Sequence, residues 1–208
     1  PTAAKIGDTE YLKLAEAVNN VKEGETITIL EGTIEEGTIK LPASLKNVTF
    51  KGEEGAILKD MTIIAADGNS ISYEGLTFEG LTFENSRISI TGWRANGAVV
   101  KNFTVTNCIF RSLDDTTNSA PVHINMAATE PVNGFIFTNN VIDGATGGSK
   151  SGIYAQVTGK VLVSGNVINN VSFRPYVIQV TTDDGIADNF IVTENTFSGS
   201  AAGRAQGL

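Results

Sequence analysis

Phe103-Thr-Val-Thr-Asn-Cys-Ile-Phe110, Phe135-Ile-Phe-Thr-Asn-Asn-Val-Ile142, Val161-Leu-Val-Ser-Gly-Asn-Val-Ile168 and Phe190-Ile-Val-Thr-Glu-Asn-Thr-Phe197 are four versions of one eight-residue pattern. Each is a short alternating apolar strand, a polar step, and a second short apolar strand. The sixth position reads Cys108, Asn140, Asn166 and Asn195. The segments start at 103, 135, 161 and 190, so the spacings are 32, 26 and 29 residues. Self-similarity at this period is the sign of a stacked repeat architecture.

Working outward, each pair is preceded by another strand: Ile88-Ser-Ile90, Val122-His-Ile-Asn-Met126, Ile153-Tyr-Ala-Gln-Val157 and Tyr176-Val-Ile-Gln-Val180. Variable turns join this first strand to the pair, and a second variable loop leads to the next unit. Three short strands per unit, with like strands one turn apart, is what a parallel β-helix requires. Side chains alternating inward would fill it. The inward set is expected to be Val122, Ile124 and Met126; Ile153, Ala155 and Val157; Phe135 and Phe137; Ile191; and the turn residue Asn195. Asparagine suits the polar step because a buried amide satisfies turn backbone groups, and identical amides can bond along the stack. Cys108 is then a small buried substitute in that column. As the single cysteine of the chain it forms no internal disulfide.

Toward the N-terminus, Thr26-Ile-Thr-Ile-Leu30, Thr38-Ile-Lys-Leu41, Val48-Thr-Phe50, Ala56-Ile-Leu58 and Met61-Thr-Ile-Ile64 are further short β-branched runs. Gly75-Leu-Thr-Phe78 and Gly80-Leu-Thr-Phe83 repeat only five residues apart, and their register is open from sequence. Residues 8–23 carry helical spacing: Tyr11, Leu14, Ala15, Val18 and Val21 share a face, with Asp8 or Thr9 as N-cap and Gly24 as stop. This amphipathic helix is expected to lid the open end of the first coil. The organisation expected is one domain of 208 residues: a capping helix at 8–23, about six or seven coils over 26–197, and 198–208 as a tail or the start of a further coil.

Composition narrows the function classes. The net charge is −8 and the pI about 4.7. Nucleic-acid affinity comes largely from Lys and Arg on phosphates, so nucleic acid is not expected as a partner. No apolar run approaches the roughly 18 residues of a membrane span. One cysteine and one histidine, His123, do not make a transition-metal cluster. The chain starts at Pro1 without a signal-like segment and reads as a mature or trimmed fragment.

The Tyr11–Val18 helix, the Gly24-Glu-Thr-Ile-Thr-Ile-Leu30 entry, the Asn47-Val-Thr-Phe-Lys-Gly52 coil and the Asn140/Asn166/Asn195 column together resemble the right-handed parallel β-helix proteins of the pectin-lyase-like class, in particular β-helical surface proteins of gut Bacteroidetes and Firmicutes. The resemblance implies a secreted or cell-surface bacterial protein. That class holds lyases, hydrolases, esterases, adhesins and non-catalytic modules, so fold does not fix function. Polygalacturonase-like enzymes combine Asn-Thr-Asp, Asp-Asp, Gly-His-Gly and Arg-Ile-Lys motifs. Here only Asp114-Asp115 and Asp183-Asp184 occur, and His123 sits in Val-His-Ile. Of the pectate-lyase arginine run, Phe173-Arg-Pro-Tyr176 keeps a fragment.

The outward face of the first-strand sheet carries the candidate binding residues Trp93, His123, Asn125, Tyr154, Gln156 and Gln179. Rings stack on apolar sugar faces, and Asn and Gln both donate to and accept from hydroxyls. The competing reading is a solvated strand face. If the chain were a lyase of uronic-acid polymers, His123 or Tyr154 would take the proton and Arg174 or Lys150 would neutralise the carboxylate. Asp114, Asp115, Asp183 and Asp184 would be the Ca2+ candidates, against a role as turn formers. The function expected is a non-catalytic module binding carbohydrate or another surface partner. A polysaccharide lyase or hydrolase, or a structural spacer in a longer adhesin, are the alternatives. No cofactor is expected, Ca2+ being the one candidate.

Overall fold

The computed structural model describes residues 1–67, 71–92, 98–113, 120–126, 132–144, 151–171, 174–180 and 189–199. The chain is a parallel β-solenoid. Strands on one side form a seven-stranded parallel sheet: Gly32–Ile34, Ala56–Lys59, Thr82–Glu84, Ile109–Arg111, Val141–Asp143, Val167–Val171 and Thr196–Gly199. We call this the third ladder. The second ladder stacks Thr26–Ile29, Thr49–Gly52, Thr77–Glu79, 103–106, 135–138, 161–164 and Phe190–Thr193. The first ladder stacks Thr38–Lys40, Thr62–Ile64, Arg87–Gly92, Val122–Met126, 151–157 and Arg174–Val180.

Three strands per coil is one short of the observed path. A brief fourth ladder of Ser44–Lys46, Ser72–Glu74, 99–101, 132–133 and 157–158 precedes the second ladder. In the later coils the two fuse into continuous strands: Val99–Thr106, Val132–Thr138 and Ser151–Ser164. Thr158–Lys160, expected as a turn, therefore lies inside a strand.

The corners explain the sequence at a finer grain. Asn47, Asn102 and Asn189, with Gly75, Gly134 and Gly159, take positive φ where the second ladder begins. Gly80, Asn107, Asn139, Gly165 and Glu194 do so before the third ladder. Asp60, Asn85, Ser112, Gly144 and Asn170 do so after it. Asn and Gly tolerate this left-handed backbone at least cost. Where the whole unit is described, a corner opens five residues, corner, inward, outward, inward, outward, except at Gly159, where a register irregularity inserts the exposed Lys160 before the inward Val161. Gly75-Leu-Thr-Phe-Glu79 and Gly80-Leu-Thr-Phe-Glu84 are two such units of one coil, which settles their register. Leu76, Phe78, Leu81 and Phe83 are all buried. At Gly75 a Cβ would run into Asn47 Oδ1 one coil below, so any other residue there would have to displace the Asn47 side chain as well as adopt a left-handed backbone.

The polar step forms a buried ladder one place after the second corner. Asn140 Oδ1 accepts the Cys108 N–H (2.9 Å), Asn166 Oδ1 the Asn140 N–H (2.9 Å) and Asn195 Oδ1 the Asn166 N–H (3.0 Å). Each amide nitrogen donates to the coil below: Asn140 to the Val105 carbonyl, Asn166 to Phe137 and Asn195 to Val163. Cys108 completes the column, and burial pushes its thiol up to about 12. Since the thiolate is the reactive form, Cys108 is expected to resist a thiol-specific reagent in the native protein and to react fully in denaturant. Rapid native labelling would contradict its burial.

Phenylalanines stack along the axis. Phe50–Phe78 ring centroids are 4.8 Å apart and Phe83–Phe110 4.6 Å, while Phe78–Phe103 are 5.9 Å apart and tilted. Val122, Ile124, Ile153, Ala155, Val157, Phe135 and Phe137 are buried as expected. Ile191 is not: it is 44% exposed. The five-residue unit starting at Asn189 puts Phe190 and Val192 inward and Ile191 outward, in register with the outward Leu162. The apolar run Phe190-Ile-Val192 hides that phase.

The N-terminal cap also differs from expectation. Helix spans Leu14–Asn20 only, and Thr9–Tyr11 is a strand. It pairs antiparallel with Ala4–Ile6, which in turn closes Thr26–Ile29. Neither Asp8 nor Thr9 caps the helix. The Glu36 carboxylate does so from across the coil, accepting Leu14 N–H (2.7 Å) and Ala15 N–H (3.0 Å). Leu14, Ala17 and Val18 pack on the core, so a helix and a hairpin share the work of covering the first coil.

Candidate functional site

The first ladder presents its outward residues in register. One column runs Lys40, Ile64, Ser89, His123 and Tyr154, and Val177 is the backbone partner of Tyr154 on the next strand. Beside it Thr91 pairs with Asn125, and Gln156 with Gln179. Parallel strands lie roughly 4.8 Å apart, so one coil step brings His123 against Tyr154. Their ring centroids are 5.0 Å apart with planes at 79°, an edge-to-face contact. Ser89, His123, Tyr154 and Gln156 are all half-buried.

Burial lowers the His123 pKa below the ordinary 6.5, so the imidazole is neutral at pH 7. The unfolded chain takes up this proton first as the pH falls, and this group therefore opposes folding below about 6.5. Among the described residues no carboxylate holds the ring. The arrangement offers an aromatic edge, a neutral imidazole, a hydroxyl and an amide on a flat sheet.

The structure therefore brings together His123, Tyr154 and Gln156. Asn125, Gln179 and Arg174 occupy first-ladder strand positions, and their side chains lie outside the described set. Trp93, Asp114, Asp115, Lys150, Asp183 and Asp184 lie outside the described residues. Among the described residues no three His, Cys, Asp or Glu side chains converge as a metal site. No helix among them is long and apolar enough to cross a membrane.

Sequence reasoning missed the lower end of the column. Lys40 pairs with Asp67 at 2.6 Å, both largely exposed. Arg87, two residues before Ser89, is a buried cation at the start of its strand. The Thr38-Ile-Lys and Met61-Thr-Ile-Ile runs were visible, but assigning them to this ladder required the stacking register. No protein-family model matches the chain, and comparison with curated proteins and with solved structures finds no match.

Proposed function

We propose that the chain is a secreted or cell-surface module of the pectin-lyase-like β-helix class that binds a polysaccharide along the outward face of its first ladder, without catalysis. The observation that carries this reading is the His123–Tyr154 edge-to-face pair on consecutive coils. The contact sets the Tyr154 ring against His123, with Gln156 two residues on along the same face and Ser89 one coil beyond His123, so a sugar chain would meet an aromatic surface and hydroxyl-bonding groups together. A ring already packed on its neighbour loses less freedom on binding, which would limit the entropic cost. The location follows from the resemblance and is part of the proposal.

Calorimetric titration with a panel of soluble neutral and uronic-acid polysaccharides tests it. At least one is expected to bind. Tyr154→Ala is expected to weaken that binding about 10-fold or more, equivalent to about 1.4 kcal/mol. Thr104→Ala, on the second ladder, is expected to leave it unchanged. No binding across the panel, or equal binding by Tyr154→Ala, would sink the reading.

One observation favours the second reading, a lyase. A neutral, half-buried His123 beside a phenol is in the protonation state of a general base. Release of unsaturated uronates on incubation with polyuronates, followed by ultraviolet absorbance and abolished in His123→Ala, would select it.

A further inference from the structure

The third ladder begins at Gly32–Ile34, the terminal strand of its sheet. In a parallel ladder, alternate residues turn their backbone groups to opposite neighbours. The Gly32 N–H bonds the Gly55 carbonyl of the coil above. The Thr33 N–H and C=O therefore point to the free edge. The equivalent edge of the second ladder is closed by an antiparallel strand, Ala4–Ile6 on Thr26–Ile29. No strand among the described residues does the same for the third.

A cavity of about 410 Å3 lies at this edge, lined by Gly32–Ile34 together with 1–3, Leu12 and Lys13. Leu12 stands on its rim and is 71% exposed, the most exposed large hydrophobic residue described. Leu30 and Ile34 add apolar lining. The charged lining is three carboxylates, Glu31, Glu35 and Glu36, against Lys13 and the amino group of Pro1. Glu36 is engaged by the helix and Glu35 by Lys59, while the Glu31 backbone is tied to Glu53, a further carboxylate.

We propose that this groove binds an extended basic peptide by strand addition to the Gly32–Ile34 edge. Backbone bonds to Thr33 would extend the sheet, an apolar side chain would enter the cavity against Leu12, Leu30 and Ile34, and flanking Lys or Arg would meet Glu31 and Glu53. Edge pairing with alternate side chains in a pocket is an established physical mode of peptide capture. The acidic lining selects a basic occupant over a second copy of this acidic chain.

The test uses fluorescence anisotropy with a labelled peptide of alternating Lys and Val, its Glu/Val counterpart, and a Lys/Pro control that cannot pair. The Lys/Val peptide is expected to bind, more weakly as salt rises, and the other two at least about 10-fold less tightly. Thr33→Pro removes the free-edge donor without touching a ladder bond, a placement edge strands accept. It is expected to weaken the Lys/Val peptide about 10-fold at unchanged thermal midpoint, and Leu12→Asp likewise. Glu31→Lys is expected to shift preference toward the Glu/Val peptide. Absence of Lys/Val binding, equal binding of all three peptides, tight binding of the Lys/Pro control, or no effect of Thr33→Pro and Leu12→Asp would each overturn the proposal. None of these outcomes depends on polysaccharide binding at the first ladder.

Discussion

Asn166→Leu is expected to lower the free energy of unfolding by about 2–6 kcal/mol, read from urea denaturation. Asn166 is buried, 1% exposed. Its oxygen takes the Asn140 N–H and its nitrogen serves the Phe137 carbonyl and Asn195 Oδ1. Leucine leaves the Asn140 N–H buried without a partner, at about 1–3 kcal/mol, and removes the two hydrogen bonds the amide donates to the Phe137 C=O and Asn195 Oδ1, at about 0.5–1.5 kcal/mol each. Against a typical domain stability of about 5–15 kcal/mol, that is enough to unfold a sizeable fraction of molecules near physiological temperature. The sequence neighbour of another ladder asparagine behaves oppositely. Asn139 is an exposed corner with φ 55°, so Asn139→Gly is expected to change stability by less than about 1 kcal/mol. A similar cost for both would mean that the two asparagines are not doing different jobs.

The second large effect belongs to the aromatic stack. Phe78 meets Phe50, Phe103 and Phe83 at 4.8, 5.9 and 6.5 Å and has no exposed surface. Phe78→Ala is expected to cost about 3–5 kcal/mol through lost burial and an incompletely collapsed cavity. Phe190 lies in the last described coil, in register with Val161, and is 39% exposed. Phe190→Ala is expected to cost about 1–2 kcal/mol, since only part of the ring leaves an apolar environment. Denaturation of the two variants side by side checks the ordering. Equal losses would contradict a core whose cohesion fades in the last described coil.

The repeat was legible because its buried positions are chemically narrow. Asn140, Asn166 and Asn195 have few substitutes at a site that must both donate and accept, so the column stands out by eye. The corners were not legible, because a left-handed backbone accepts Asn, Gly, Asp, Ser or Glu194 and no single letter marks them. Without the corners, the phase of Phe190-Ile-Val192 is ambiguous, and Ile191 reads as inward. The helix was overextended for a related reason. Tyr11 keeps helical spacing with Leu14 and Val18, but pairing of Thr9–Tyr11 with Ala4–Ile6 satisfies its backbone first. The helix start is set by Glu36, which is 22 residues away in sequence from Leu14 and invisible to a local capping rule.

At the candidate site, alternation alone placed His123, Tyr154 and Gln156 on one face. It did not show that one coil step puts the imidazole edge-to-face with the phenol, because that depends on the register between Val122–Met126 and 151–157. Nor did it reveal Lys40 and Asp67 at the foot of the same column.

The most direct measurement is an amide-resolved NMR titration of isotope-labelled protein with a polysaccharide that it binds. The account predicts shift changes concentrated at Ser89, His123, Tyr154 and Gln156, with the outward residues Thr49, Thr77 and Thr104 of the second ladder unmoved. Changes confined to the second or third ladder, or no change with any polysaccharide of the panel, would contradict it.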